Sequence, residues 1–368
     1  MSRIEQLIEE MCPDGVEFKE LGEIAKISTG KLNANAMTLD GLYPFFTCSE
    51  KPYLIDTFAF DTEAILISGN GSQLGHINYY NGKFNAYQRT YVICEFSTNI
   101  TASYLLHFLK GFLKEYIWKN VKEGSVPYIT LPMLQNFQIP LPPLPIQQEI
   151  VRILDTFTAL DGSLQAELEA RRKQYEHYRN QLLNFEGKEV EWKTLGEIST
   201  NKNYKRIPIT QSERKSGKYR YYGASGVVDY VDNYIFDGDY LLISEDGANL
   251  TARKTPIAFS VSGKFWVNNH AHVIYFENYY TRRLVEIYLN SIDLSIFITG
   301  AAQPKLNQEN LYKIPIPIPP LSEQERIVGI LDKFDALLNT ELPAEIAARR
   351  KQYEYYREKL LTFEPLAN

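Results

Sequence analysis

A chain of 368 residues exceeds one ordinary domain, and its 44% hydrophobic and 23% charged content is that of folded protein rather than disorder. No stretch reaches the roughly 20 apolar residues of a membrane helix, and the acidic, amphipathic start MSRIEQLIEEM is unlike a signal peptide, so a cytoplasmic chain is expected, with no membrane partner. The net charge of −6 permits DNA binding without predicting it, since phosphate neutralisation rests on Lys and Arg, and residues 190–316 alone carry +2.

In chain order, residues 1–16 form an N-terminal helical segment. Residues 17–140 hold runs such as AILIS and TYVICEF between Gly, Asn and Asp turns, which predict strands, with a helix near 102–120. They close on FQIPLPPLP, whose alternate prolines remove backbone donors and belong at a sheet edge. Residues 141–189 carry Ile150, Leu154, Phe157, Leu164, Leu168, Tyr175, Tyr178 and Leu182 in the three- and four-residue steps of a coiled-coil seam. A helix of about 40 residues spans roughly 60 Å.

Residues 190–316 return to the strand-rich pattern with DYLLIS and AHVIYF and a helix near 281–298. Residues 317–368 repeat the seam through Ile327, Leu331, Phe334, Leu338, Ile346, Tyr353, Tyr356 and Leu360. Ser322 and Glu325 have capping-box spacing, and Pro343 inside the seam predicts a kink or break. Two such helices can bury their stripes on each other as an antiparallel pair.

Self-similarity explains this order. LPPLPIQQEIVRILDTF (141–157) returns as IPPLSEQERIVGILDKF (318–334), and ARRKQYEHYRNQLLNFE (170–186) as ARRKQYEYYREKLLTFE (348–364), with one residue inserted between the two blocks. VEFKELGEI (16–24) recurs as VEWKTLGEI (190–198) and AILISGNG (64–71) as YLLISEDG (240–247). A period of about 175 residues is far beyond a solenoid repeat, so each copy is a domain plus a helix. Near-identical helical blocks point to one shared partner, and divergent middles to two different ligands.

Residues for catalysis do not assemble. GNGSQLG (69–75) lacks a strand-helix-strand setting and reads as a turn, and no Walker A lysine motif occurs. Pro142-Pro143 and Pro319-Pro320 follow Leu141 and Ile318 rather than the Asn or Asp of an adenine methyltransferase signature. Pro13-Asp14 with Glu17 and Lys19 is spaced too tightly for a metal-dependent nuclease, and the repeat lacks the Pro-Asp. Cys12, Cys48 and Cys94 form no C-x-x-C pair and read as reduced thiols, and His270 and His272 would face opposite ways on a strand, so no metal site is expected.

The proline-led PPLxxQxxIVxILD and its long helix, occurring twice after variable segments, strongly resemble the specificity subunit of type I restriction-modification enzymes. The resemblance covers essentially the whole chain. It implies an α+β fold: two β-rich target-recognition domains (17–140 and 190–316) in a pseudo-twofold arrangement, separated by two long antiparallel coiled-coil helices, the conserved spacers at 141–189 and 317–368. It also implies that each domain reads one half of an interrupted double-stranded DNA target, while the helices set the spacing and dock two methyltransferase subunits. No cofactor is then bound by this chain; S-adenosylmethionine, ATP and Mg belong to the methyltransferase and restriction subunits. One departure stands out. Gly300-Ala301-Ala302-Gln303-Pro304-Lys305-Leu306 fits the family's usual segment, but Gly124-Ser125-Val126-Pro127-Tyr128-Ile129 has Val126 where Gln is usual. Any DNA role of that glutamine cannot hold in both halves.

Base reading in the major groove needs Arg or Lys for guanine and Asn or Gln for adenine, supplied from loops. The first domain offers Lys31, Asn33 and Asn35, then Asn70, Ser72, Gln73 and His76, then Tyr87, Gln88 and Arg89. The second offers Lys202, Asn203, Lys205, Arg206, Arg214 and Lys215, then Asn249, Thr251, Arg253 and Lys254, then Asn268, Asn269 and His270. Two other readings suit the residues alone: a stand-alone two-domain DNA-binding regulator, and a helical scaffold whose β-rich domains bind protein.

Overall fold

The computed structural model describes residues 3–121, 127–300 and 303–366. The first copy runs α1 (Arg3–Met11), β1 (Glu17–Glu20), α2 (Leu21–Ile24), β2 (Lys26–Thr29), β3 (Tyr43–Phe46), β4 (Tyr53–Ile55), β5 (Phe60–Ser68), β6 (Ile77–Ala86), β7 (Thr90–Cys94), α3 (Ala102–Asn120), α4 (Leu131–Gln135), β8 (Gln138–Leu141) and α5 (Leu144–Leu182). The second runs β9 (Glu191–Thr194), α6 (Leu195–Ile198), β10 (Thr200–Asn201), β11 (Ser216–Gly223), β12 (Gly226–Val231), β13 (Phe236–Asp237), β14 (Tyr240–Ser244), α7 (Asn249–Ala252), β15 (Ala258–Val261), β16 (Lys264–Val267), β17 (Ala271–Tyr275), α8 (Tyr279–Ser291), α9 (Gln308–Tyr312), β18 (Pro315–Ile318), α10 (Leu321–Ala336) and α11 (Leu342–Leu361).

The chain forms two compact units, residues 1–166 with 344–368, and residues 167–343. The division runs through the middle of α5, so each unit owns one strand-rich domain and parts of the helical blocks. In the first unit the sheet order is β2-β7-β5-β6-β3-β4, antiparallel except for β3 beside β6. Alternation along β5 buries both faces. Ile65 and Ile67 face a core shared with Leu105, Leu109 and Leu113 of α3, and Ala64 and Leu66 pack with Phe46, Phe84 and Val92.

Ile150 and Leu154 of α5 and Leu360 of α11 belong to that same core, so the foot of the seam is anchored in the domain. Higher up, the Phe157 ring stacks 5.5 Å from Tyr356 and lies 6.3 Å from Tyr353, and Arg350 Nε donates to Asp161 Oδ1 at 2.8 Å. Rising numbers on α5 meet falling numbers on α11, so the pair is antiparallel. The N- and C-terminal segments meet as well, Val16 N donating to Glu364 O at 2.9 Å and Leu366 N to Val16 O at 3.0 Å.

In the second unit the same strands split into two sheets, β10-β17-β14-β15 and β12-β11-β16-β13. The long β6 is replaced by β15 and β16, interrupted at Ser262 and Gly263, where Gly263 takes φ of 82°. Ile327, Val328 and Leu331 of α10 pack with Leu183 and Phe185 after α5 and with Leu284 and Ile287 of α8. Tyr175 and Tyr178 lie 6.3 and 5.7 Å from Phe334, again an antiparallel order. Leu168, Leu338 and Ile346 are buried, Leu164 and Leu182 half-buried.

The repeated LGEI is a single helical turn with a capping box, Glu20 with Glu23 and Thr194 with Glu197. Its glycine lets a second short helix approach: a Cβ at Gly22 would lie 3.2 Å from Gln135 Cβ, and one at Gly196 3.2 Å from Tyr312 Cβ. Each proline run pairs with the strand before that turn as a two-stranded ribbon, β8 with β1 and β18 with β9.

Three expectations need correction. The second domain helix ends at Ser291 and a separate 3-10 turn follows at Ser295–Phe297. Ser322 lies inside α10, whose N-cap is Pro320 without a side-chain cap, so there is no capping box there. Pro343 does not break the helix. A π-helical turn at Leu337–Glu341 leads directly into α11. The wide turn absorbs the inserted residue, so the flanking blocks keep their faces toward their partners.

Candidate nucleic-acid interface

Antiparallel pairing sets the end of one strand beside the start of the next. In the first unit, Thr29 of β2 pairs with Tyr91 and Ser68 of β5 with Thr90, so loops 30–36, 69–76 and 87–89 share one end of the sheet. They are stitched together. Gln88 N donates to Leu32 O at 2.9 Å, Gln88 Nε2 to Asn33 Oδ1 at 2.9 Å, Gly69 N to Arg89 O at 2.8 Å and Ile129 N to Gly69 O at 2.8 Å. In the second unit Glu245 N donates to His270 O at 2.9 Å and Leu306 N to Glu245 O at 2.8 Å, which reproduces the last two bonds.

Of the sequence candidates in the first domain, Lys31, Asn33, Asn35, Ser72, Gln73, Gln88 and Arg89 are exposed, and Asn70 and Tyr87 are half-buried. His76 is partly buried, and its Nε2 has no hydrogen-bond partner among the described residues. In the second domain Lys205, Thr251, Lys254 and Asn269 are exposed, and the Lys202 ammonium sits 5.9 Å over the Tyr275 ring. His270 Nδ1 lies 2.9 Å from Asp246.

Several polar candidates are committed to the fold. Arg206 Nη1 donates to Glu245 Oε2 at 2.6 Å and to Ala271 O at 2.8 Å. Asn203 Oδ1 accepts from Val273 N at 2.8 Å. Arg253 reaches the Leu289 and Ile292 carbonyls at 3.4 and 3.2 Å, Asn249 holds both N–H and C=O of Thr255, and buried Asn268 accepts from His270 N. Arg214 covers the Tyr221 ring at 4.4 Å and pairs with Asp229 at 3.2 Å. The Arg214 side chain folds back along β11 into these contacts, whereas Lys215 precedes β11 and Tyr222 near the other end of that strand meets Asn268; strand rise separates these ends by roughly 20 Å. Lys215 is not brought to the loop cluster.

Around Glu245 the second domain holds a charged latch. Burial opposes its ionisation, but the Arg206 hydrogen bond prevails, and the carboxyl is held below the ordinary range. His272 is pushed down by burial. Its Nε2 lies 2.8 Å from Leu306 O and must donate, so Nδ1 accepts from Asn203 Nδ2 at 2.9 Å, which assigns the neutral tautomer. The segments before α4 and α9, noted in the sequence only for the glutamine position, also reach the loops. Tyr128 bridges to Asn70 and Lys305 to Asp246. Residues Gly124, Ser125, Val126, Ala301 and Ala302 of those segments lie outside the described residues.

Such a surface offers paired donors and acceptors to base edges and cations to phosphates. Among the described residues no three His, Cys, Asp or Glu side chains could hold a metal ion, and no helix is long and apolar enough to cross a membrane. The three cysteines are free thiols.

The sequence pattern of the type I restriction modification DNA specificity domain matches twice, at residues 13–170 and 187–348. The chain belongs to this specificity family. It is 32% identical over 343 residues to the EcoprrI type I specificity subunit of Escherichia coli, covering 88% of this chain and 80% of that one. It is 43% identical over 166 residues to the EcoDI specificity subunit of Escherichia coli, covering 45% of this chain and 36% of that one. A Haemophilus influenzae relative bearing the name of a type I specificity subunit is 44% identical over 188 residues, a match of 49% of this chain and 48% of that one. The chain thus spans about half or less of these last two relatives. Its fold is that of the type I restriction-modification S subunit from M. genitalium, with a TM-score of 0.62 at 17% identity, covering 94% and 96% of the two chains.

Proposed function

We propose that this member of the specificity family is the non-catalytic, DNA-reading subunit of a type I restriction-modification complex. The observation that carries the proposal is the repeated loop cluster: both domains tie the loop after the central strand to the loop before the next paired strand and to the segment before the short helix with the same two backbone bonds, yet display different side chains there. Each domain reads one half of an interrupted duplex target. The near-identical helical blocks set the distance between the halves and dock two methyltransferase subunits, and restriction subunits join that assembly in the cytoplasm. S-adenosylmethionine, ATP and Mg2+ are used by those partners, and the chemistry is theirs.

The test is co-expression with a methyltransferase subunit encoded beside it, followed by sequencing of methylated DNA. One interrupted motif, methylated on both strands only when this chain is intact, is expected. A stable complex that leaves the DNA unmethylated would overturn the reading in favour of a scaffold.

A further inference from the structure

The two domains differ in how the loop after the central strand meets the domain helix. In the second, Arg253 bonds the carbonyls of Leu289 near the end of α8, which is 13 residues long, and of Ile292 just after it, and the loop and α8 border a cavity of about 480 Å³ with Arg253, Lys254, Arg283 and Glu286 in its lining. In the first, the corresponding loop leaves a cavity of about 710 Å³ against α3, lined by Ser72, Gln73, His76, Lys110, Lys114 and Trp118. Here α3 is 19 residues long, and Trp118 lies in its added length.

Lys110, Lys114 and Trp118 stand four residues apart, so they form one stripe along the helix. The opposite face, Leu105, Leu109, Leu113 and Ile117, is buried in the core. All three stripe residues are exposed, Trp118 by 55%. Neither lysine is in an ion pair among the described residues, whereas the neighbouring Lys119 is bound to Glu115 at 2.7 Å. Burial lowers the pKa of Lys110 and the Asp155 carboxylate opposes that shift. Two exposed ammonium groups beside an open indole face match the sugar-phosphate backbone of nucleic acid, with cations for phosphates and an aromatic surface for deoxyribose. The stripe is about 12 Å long at 1.5 Å per residue, enough for roughly three phosphates at 3.4 Å of axial rise.

We infer that Lys110, Lys114 and Trp118 form a sequence-independent contact to the DNA backbone beside the half-site of the first domain. The inference rests on the DNA-reading function proposed above. A contact of this kind positions the duplex against the loops at 31–35, 70–76 and 87–89 without choosing bases.

The experiment measures binding of the full-length chain with its methyltransferase subunits to a labelled duplex, as a function of salt, using cognate and scrambled sequences. Each phosphate contact contributes about 0.9 to the log-log salt slope, so Lys110→Gln with Lys114→Gln lowers it by about 1.8. Between about 50 and 200 mM salt the variant then loses roughly 12-fold less affinity than the wild type. The weakening at low salt is equal on both duplexes, and the methylated motif is unchanged. Lys110→Arg with Lys114→Arg keeps the wild-type slope. An unchanged slope in the glutamine pair, or the same loss in the arginine pair, overturns the inference. Failure of the wild type to bind duplex DNA in a salt-sensitive way instead sinks the underlying function.

Discussion

Arg206→Ala tests whether the second domain's loops are held by the Glu245 latch. The guanidinium loses its bonds to Glu245 Oε2 (2.6 Å), Ala271 O (2.8 Å), Asn269 O (3.3 Å) and Asn203 O (3.3 Å). Both partners of the ion pair are well covered, 15% and 13% exposed, so solvent does not replace these bonds cheaply. Removing one partner of a buried pair costs about 3–5 kcal/mol. Lys305 remains 3.3 Å from Glu245, which sets the expectation at the lower end, about 3 kcal/mol. For a unit of this size that is roughly 6–12 °C in Tm. Calorimetry of the wild type, Arg206→Ala, Glu245→Gln and the double variant measures it, and a coupling energy of about 2 kcal/mol is expected between the two sites. The backbone of Glu245 bonds to His270 and Leu306, so the same variant relaxes recognition of one half-site only. A Tm within about 1 °C of wild type, or equal loss on both half-sites, would refute the latch.

Further expectations follow from the same structure. His272 and His107 both have pKa values lowered by burial, so the unfolded chain takes up protons first as pH falls below about 6.5. Stability is therefore full above that pH and lost below it, down to the folded values, by up to about 1.4 kcal/mol per pH unit for each group. His272→Gln should lower that slope in denaturant titrations, and a profile unchanged from wild type would count against it. Gly30→Ala places a Cβ 1.8 Å from the Ala86 carbonyl oxygen, which should cost about 3 kcal/mol and disrupt the 31–36 and 87–89 loops before the rest of the domain. Hydrogen exchange showing those loops unchanged would argue otherwise. Arg283→Met strips the bonds to Asp332 and Asp335 that join α8 to α10, and the bond to Glu286 within α8, with an expected cost of about 3 kcal/mol by chemical unfolding. Exchanging residues 17–140 for those of a relative should alter one half of the methylated motif; a change in both halves would contradict modular reading.

Duplication, strand-rich middles and a long spacer helix were legible from the amino acids, because each is written in local periodicity or in repeated blocks. The helix expected at about 40 residues spans Leu144–Leu182, and the one near 102–120 spans Ala102–Asn120. The LGEI turn repeats because capping and a glycine approach are both local demands. Polar loop residues could be placed between strands, but their side-chain partners could not. Arg206 ends on a carboxylate 39 positions away and Arg253 on carbonyls 36 and 39 positions away. Such bonds follow from how strands pair, which a polar residue in a loop does not reveal.

The seam shows the same limit. Alternating apolar steps determined that α5 would be paired, and the inserted residue with Pro343 determined that something must give near 340. Only packing decided how. Ile327 and Leu331 on one side and Ile346 and Leu360 on the other are already buried, so keeping the helix continuous in a π turn preserves contacts that a break would expose. Whether Lys110 and Lys114 are surface charge or part of a cavity was likewise decided by tertiary structure, since the loop that faces them comes from residues 71–77. Local pattern specifies which groups want burial or water; three-dimensional packing specifies which of them meet.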